Sequence, residues 1–335
     1  MNDRIWILGA PDPEMEMIEN ILRACGEKII YATDKDGRRV HPGNAYRCPV
    51  PEVPEGATVY AVECIEILPD GWVRIDHHRP RDPGYAKPPA WFFEASSIGQ
   101  VLTELAWLGQ LPDWPEAVWP YRLYGRPRVG VHEIRWSAES TPRYVACVAG
   151  NETREVYCGQ TLSNDERSAR DVYTREPVVS RICEIPGEYL LAAAADHCLA
   201  AAYRGECPGV DPDALMRWRV ETRAAHQGRA VEDVLADVER ARAALREAPV
   251  VSLAEGIQAR DLRGPAIPEL PEAAAREGEC FLASLRERDG KTKVVCQSGA
   301  PEQIEAFMRV WAPREGLVDV YGDPARGFAG GYLAT

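Results

Sequence analysis

Apolar positions along this chain recur in two rhythms, and each change of rhythm marks an element. "RIWIL", Arg4 to Leu8, is a short apolar run that stops at Gly9-Ala10-Pro11, which predicts a buried strand leaving its sheet into a loop. In "EMEMIENILRACGE", Met17, Ile18, Ile21 and Leu22 fall on a helical repeat and Gly26 supplies a stop. "EKIIYAT", "ATVYAVECI" and "GWVRIDHH" predict three further strands, with a turn-rich segment separating the first two. "EASSIGQVLTELAWLGQL" predicts an amphipathic helix opening near Ser96 or Ser97. Residues 107–190 hold Trp107, Trp114, Trp119, Trp136 and the strand-like run "RYVACVA". They read as an insertion whose aromatics serve either packing or base stacking. "GEYLLAAAADHCLAAAYRGECPGV" and the charged stretch up to Pro249 predict helices. Then "ECFLASLRE", "TKVVCQS", "PEQIEAFMRVWA" and "GLVDVYGD" predict a small α+β unit, closed by the glycine-dense loop "GDPARGFAGGYL".

Strand, helix, strand at this spacing predicts an α/β fold with a doubly wound, mostly parallel sheet in residues 1–248. A smaller α+β domain over 249–335 follows the break at Pro249. In such sheets functional residues gather at the carboxyl ends of the strands. That rule selects the loop after Ala10, the residues around Glu63, and the triplet Asp76-His77-His78. All three carry metal-ligand side chains. Only six histidines occur in 335 residues, and two of them stand side by side here.

The net charge of −13 excludes a general nucleic-acid coat, though not a local basic groove. Ten cysteines are scattered with no Cys-x-x-Cys pair, which removes the usual structural-zinc spacing. No basic-then-apolar leader and no apolar run of about 18 residues occur, so the expectation is reduced thiols in the cytoplasm and no membrane span.

The Asp76-His77-His78 triplet at a strand end, followed by "EASSIGQVLTEL", resembles the DHH superfamily of phosphoesterases. The resemblance implies an α/β domain with four motifs and a small C-terminal domain with a glycine-rich substrate loop. The first motif, a histidine then Asp-x-Asp after strand one, corresponds to "LGAPDPEM": Asp12 and Glu14 take the carboxylate places and Leu8 stands where the histidine would. Glu63 holds the place of the second-motif aspartate, and Asp196 that of the fourth. The implied metal ligands are Asp12, Glu14, Glu63, His77 and Asp196, holding one or two Mn2+ or Mg2+ ions. His78 would face the scissile phosphate as donor or general acid, with Asp76 orienting a neighbouring imidazole. Arg79 could meet phosphate oxygens or be a solvated loop charge. "RGFAGG" has the outline of the substrate loop, so Arg326, Gly327, Gly330 and Gly331 would line an anion site. The implied substrate is small and phosphorylated: a dinucleotide, a metabolite, or short single-stranded nucleic acid.

Plainer readings stand beside these. Asp12 and Glu14 could simply cap the first helix. The carboxylate of Glu63, in an apolar context, could be relieved by a turn as well as by a cation. Asp196 could be a surface helix position, and His197 reads as structural. A single-metal enzyme, a shifted second metal and a catalytically lapsed relative are all compatible with the loss of the first-motif histidine. His41 and Glu16 are the residues that could compensate for it.

Overall fold

The computed structural model describes residues 4–108, 110, 143–148, 152–157, 187–286 and 290–334. Strands β1 (Arg4–Leu8), β2 (Lys28–Tyr31), β3 (Thr58–Val62) and β4 (Val73–Ile75) form a parallel sheet in the order β2-β1-β3-β4. Parallel strands buried on both faces need apolar side chains at nearly every position, which is why β1 and β3 read as unbroken apolar runs. Trp6, Leu8, Tyr60 and Val62 share one apolar cluster with helices α1 (Pro13–Ala24), α3 (Ser97–Trp107) and α4 (Gly187–Tyr203). A short helix α2 (Phe92–Ala95) adds Phe92 and Phe93 to that cluster.

Ile5, Ile7, Val59 and Ala61 point the other way, into a cluster with Ala32, Val40, Ala45, Cys48, Cys64 and Ile65. Loops and a 3-10 turn (Ala45–Arg47) make up that second layer among the described residues. Among the described residues helices therefore cover one face of the parallel sheet and an irregular layer the other, while the order β2-β1-β3-β4, running outward both ways from β1, is that of a doubly wound sheet. The segment between β2 and β3 is rich in proline and glycine, which suits an irregular layer and not a crossover helix.

Helix boundaries follow local chemistry. Asp12 accepts the Met15 N–H at 2.7 Å as N-cap of α1, Pro13 follows it, and Gly26 (φ 69) turns the chain away just past the end. Ser96 caps α3 by accepting the Gly99 N–H at 3.1 Å. From the tryptophan-rich segment, β5 (Arg143–Val148) and β6 (Glu152–Tyr157) pair as an antiparallel hairpin. Trp114, Trp119 and Trp136 lie outside the described residues.

Helices α5 (Pro212–Gln227) and α6 (Val231–Glu247) lead to a second, mixed sheet. Its strands are β7 (Val250–Ala254), β8 (Ile257–Leu262), β9 (Phe281–Arg286), β10 (Thr292–Gln297), β11 (Leu317–Asp323) and β12 (Phe328–Leu333), in the order β11-β12-β10-β9-β8-β7. Only β8 and β9 run parallel; helix α7 (Leu270–Glu277) lies between them in the chain. Helix α8 (Pro301–Ala306) continues through a π-turn, and Trp311 stacks on Phe307 at 5.2 Å in the core of this sheet.

Val238, Ala241 and Leu245 of α6 share one cluster with Leu270, Ala273 and Phe281, so apolar packing runs across the expected break at Pro249. One sequence expectation changes here. The expected glycine-dense loop is mostly strand: Gly330 and Gly331 sit within β12, paired to β10 and β11. An added Cβ on Gly330 would lie 2.5 Å from the Tyr321 hydroxyl, so this glycine makes room for a cross-strand tyrosine.

Candidate metal centre

Parallel pairing brings the carboxyl ends of β3 and β4 side by side, and the residue after each carries a functional side chain. Glu63 leaves β3 in a left-handed conformation (φ 50). Such strain in a non-glycine residue persists only where its surroundings impose it, and it recurs at functional sites. Ser97 donates to Glu63 Oε1 at 2.6 Å, fixing the carboxylate. After β4, Asp76 and His77 are sealed from solvent, while His78 keeps about a third of its side chain exposed. Asp196 arrives from α4, two residues before a break in that helix at Cys198 (φ −152, ψ 48).

Glu63, His77, His78 and Asp196 each offer one ligand atom, and the four atoms lie within 4.8 Å of one another. Three of them, Glu63, His77 and Asp196, belong to the expected ligand set; His78 joins from the expected catalytic pair. Asp12 and Glu14 lie outside this group of four. Oδ1 of Asp12 is taken by the Met15 N–H, and Oε1 of Glu14 accepts the Ile98 N–H at 2.9 Å, near the start of α3.

Does the arrangement suit a cation? His77 Nδ1 lies 3.2 Å from the Ala95 carbonyl, which can only accept, so Nδ1 carries the proton and Nε2 presents a lone pair. That lone pair is 2.7 Å from Asp196 Oδ2. Neither buried atom has a hydrogen-bond partner among the described residues. At this separation the two lone pairs are relieved either by a proton on Nε2, which makes an ordinary hydrogen bond, or by a cation. Right-angled ligands at about 2.1 Å from one ion stand about 3 Å apart; His77 Nε2 lies 2.7 Å from Asp196 Oδ2 and 3.9 Å from Glu63 Oε1, on either side of that spacing. The residues fit a metal ion. One neutral imidazole with two carboxylates suits zinc, or manganese as the hard ion more tolerant of nitrogen, better than magnesium, which favours an all-oxygen shell.

The charges agree with this. Burial, then the Asp196 charge, pushes Asp12 up to about 6. Burial raises Glu63 to about 8, with Asp196 and Asp12 adding to it against His78. Burial and the neighbouring Asp196, Glu63 and Asp12 hold Glu14 well above the usual carboxylate range. Burial, with Arg326 and His78 nearby, lowers His77 to about 4, so it is a neutral imidazole able to bind metal. For His78 burial works downward, but Glu63 and the Asp76 hydrogen bond outweigh it and lift it to about 9, so in the metal-free protein it is a proton donor and not a ligand. Carboxylates crowded until they resist ionisation are what a bound cation relieves.

Asp76 acts as an anchor. It accepts from His78 Nδ1 at 3.0 Å, from the His77 and His78 N–H groups, and from the Tyr46 hydroxyl at 2.9 Å. Tyr46 was not visible as a site residue, because it sits in the turn-rich segment where no periodicity singles it out. Gln100 was also missed: it donates to the Asp76 and Ala95 carbonyls at 3.0 and 2.7 Å, tying α3 to the triplet. Its position on the helix face toward the triplet was the available signal. Gly84 lets the next loop close over His77, since an added Cβ would stand 2.0 Å from the Ala95 carbonyl oxygen and 2.6 Å from His77 Cβ.

The expected phosphate contacts fare differently. Arg79 pairs with Glu66 at 3.0 Å and stacks 3.8 Å from the Tyr46 ring, so both its charge and its face are engaged. Arg326 is buried and gives its guanidinium to three main-chain carbonyls, of His77, Asp196 and His197. Gly327 (φ 74) makes the turn into β12. His197, expected to be structural, bonds the Lys87 carbonyl through Nε2 at 3.1 Å. Neither compensating candidate reaches the cluster: His41 accepts the Gly43 N–H and Glu16 pairs with His226.

No protein-family model matches the chain, and no curated protein matches it either.

Proposed function

We propose that the chain is a metal-dependent phosphoesterase with the DHH superfamily's arrangement of motifs. Its substrate is a phosphodiester or phosphomonoester of small nucleotide type: a short oligonucleotide, a dinucleotide or a phosphorylated metabolite. The observation that carries this reading is the unsatisfied pair, His77 Nε2 against Asp196 Oδ2, inside a ring completed by Glu63 and His78. Mn2+ or Mg2+ is the proposed ion, Mn2+ being the one that better tolerates the imidazole. A divalent cation held there supplies charge for a phosphoryl oxygen and makes water more acidic. Glu63, His77 and Asp196 hold it. His78, partly exposed and charged near neutral pH, donates toward the phosphoryl group or the leaving oxygen, and Asp76 fixes its ring. The acidic net charge favours small substrates, since a long strand needs an extended basic track. A cytoplasmic location remains part of the proposal; no helix among the described residues is long and apolar enough to cross a membrane.

A second reading has its own observation. Leu8 is sealed in the apolar cluster where the first motif would carry a histidine, and Asp12 and Glu14 serve as helix caps. A ligand-binding relative whose chemistry has lapsed would look the same at these positions. Metal-stripped protein reloaded with Mn2+ or Mg2+ separates the two, assayed on a generic phosphodiester, a dinucleotide panel and pyrophosphate. Turnover that needs metal and disappears in His78→Ala supports the enzyme. Metal binding without turnover on any of them supports the lapsed relative.

A further inference from the structure

Arg326 hydrogen-bonds the candidate centre only through backbone. Its Nε, Nη1 and Nη2 donate to the carbonyls of His197, His77 and Asp196 at 2.9, 3.1 and 3.0 Å. Two of those carbonyls belong to candidate ligands that come from different elements, the end of β4 and the helix α4. A third feature explains why a guanidinium is needed. The break at Cys198 interrupts α4 just after Asp196 and His197, and carbonyls at a helix break need donors from elsewhere. Arg326 brings them from the turn before β12, in the second sheet.

We propose that Arg326 is a positioning residue: from the turn before β12 it sets the distance between His77 and Asp196. The proposal rests on the metal-centre reading above. Three carbonyls, each met by a different guanidinium nitrogen, match the fixed fork of an arginine, whereas a lysine ammonium presents all its donors from one atom. The same turn is held by contacts that do not involve the centre. Tyr85 donates to the Gly322 carbonyl at 3.0 Å, and the Ala86 N–H donates to Asp323 at 3.0 Å.

Charge alone predicts the opposite behaviour. Arg326 Nη2 is 3.8 Å from Asp196 Oδ2, so a cation there competes with a metal ion, and removing it would tighten metal binding. Positioning predicts that Arg326→Met and Arg326→Lys both weaken it, the lysine variant despite keeping the charge. The experiment is a Mn2+ titration followed by electron paramagnetic resonance, with the visible absorption of the Co2+-loaded protein as a second readout of ligand geometry. Both Arg326 variants are expected to lose about tenfold or more in Mn2+ affinity, as for other groups that orient ligands, and to shift the Co2+ bands. Tyr85→Phe, which loosens the same contact away from the centre, is expected to leave both unchanged. Equal losses in Tyr85→Phe and Arg326→Lys would reduce Arg326 to a general sheet contact and overturn the proposal. So would unchanged or tighter binding in Arg326→Lys while the wild type binds normally. If Arg326→Met does not fold, Arg326→Lys carries the test alone. A wild-type protein that binds neither ion overturns the metal-centre reading itself, a result distinct from either.

Discussion

Two consecutive imidazoles at the end of β4 have opposite surroundings. His77 is sealed and gives its Nδ1 proton to the Ala95 carbonyl; His78 is partly exposed and gives its Nδ1 proton to Asp76. Their roles should therefore separate by mutation. His77→Gln should abolish Mn2+ binding measured by calorimetry, whereas His78→Gln should retain measurable binding and lose turnover. Equal loss of binding in both would assign His78 a full ligand role. The Asp76 anchor makes a sharper prediction. His78 is lifted to about 9 against the pull of burial, by Glu63 and by the hydrogen bond to Asp76. Asp76→Asn removes that charge, so the His78 titration in metal-free protein, followed by NMR of the ring Cε1 proton, should fall toward the ordinary imidazole range. An unmoved titration would mean that Glu63 alone sets it. At Gly84 a methyl group would press on the Ala95 carbonyl and His77 Cβ. Gly84→Ala should cost about 1–3 kcal/mol in urea unfolding, the usual range for overpacking. A neutral result would show that the loop can move aside.

Elements made of unbroken apolar runs were legible in the sequence, because a parallel strand buried on both faces leaves an unmistakable apolar block, as in "RIWIL" and "TVYAV". Helix starts at Asp12 and near Ser96 were legible for the same local reason, a capping side chain at the right offset. Glu63, His77 and Asp196 were reachable through strand-end position and resemblance. What the residues hid was decided by long-range contact. Gly330 and Gly331 look like a loop until β10 and β11 pair on either side of them. The break at Cys198 has no proline or glycine to announce it. Helix α7 belongs to this hidden class as well. Its Glu272 receives the Tyr203 hydroxyl, Arg219 at 3.1 Å and Arg276 at 2.9 Å, so it ties α4, α5 and α7 into one network. Burial opposes its charge, but Arg219, Tyr203 and Arg276 outweigh it and lower its pKa. A depressed carboxylate adds stability that is complete above its unfolded-state value, about 4.3, and is lost as pH falls through the folded value. Glu272→Gln should therefore cost about 3 kcal/mol at pH 7, as two guanidinium groups lose their counter-charge, and should flatten the fall in stability below about pH 4. Urea unfolding at several pH values reads both; identical acid slopes in the two proteins would remove Glu272 from the account.

Across the whole molecule, the candidate centre is held by parts far apart in the chain. Glu63, His77 and His78 come from the parallel sheet, Asp196 from α4, and Arg326 from the second sheet. Such a centre adds nothing to the unfolded chain, where these groups are dispersed, so a bound ion stabilises only the folded form. Part of that binding free energy comes from relief of the burial and mutual repulsion that push Glu63 and Asp12 up to about 8 and 6. At a free ion concentration a hundred times the dissociation constant, the gain is about 2.7 kcal/mol. Spread over the unfolding entropy of 335 residues, that is a rise of about 4 °C in the unfolding midpoint. Mn2+ added to chelator-treated protein should produce this rise in a calorimetric scan. Glu63→Gln should lower the added stabilisation while leaving the metal-free midpoint level or higher, since it removes one member of a repelling cluster and keeps a side chain that can still accept from Ser97. A metal-free midpoint that drops in Glu63→Gln would instead make Glu63 a structural group, one whose left-handed backbone serves the β3 turn and not an ion.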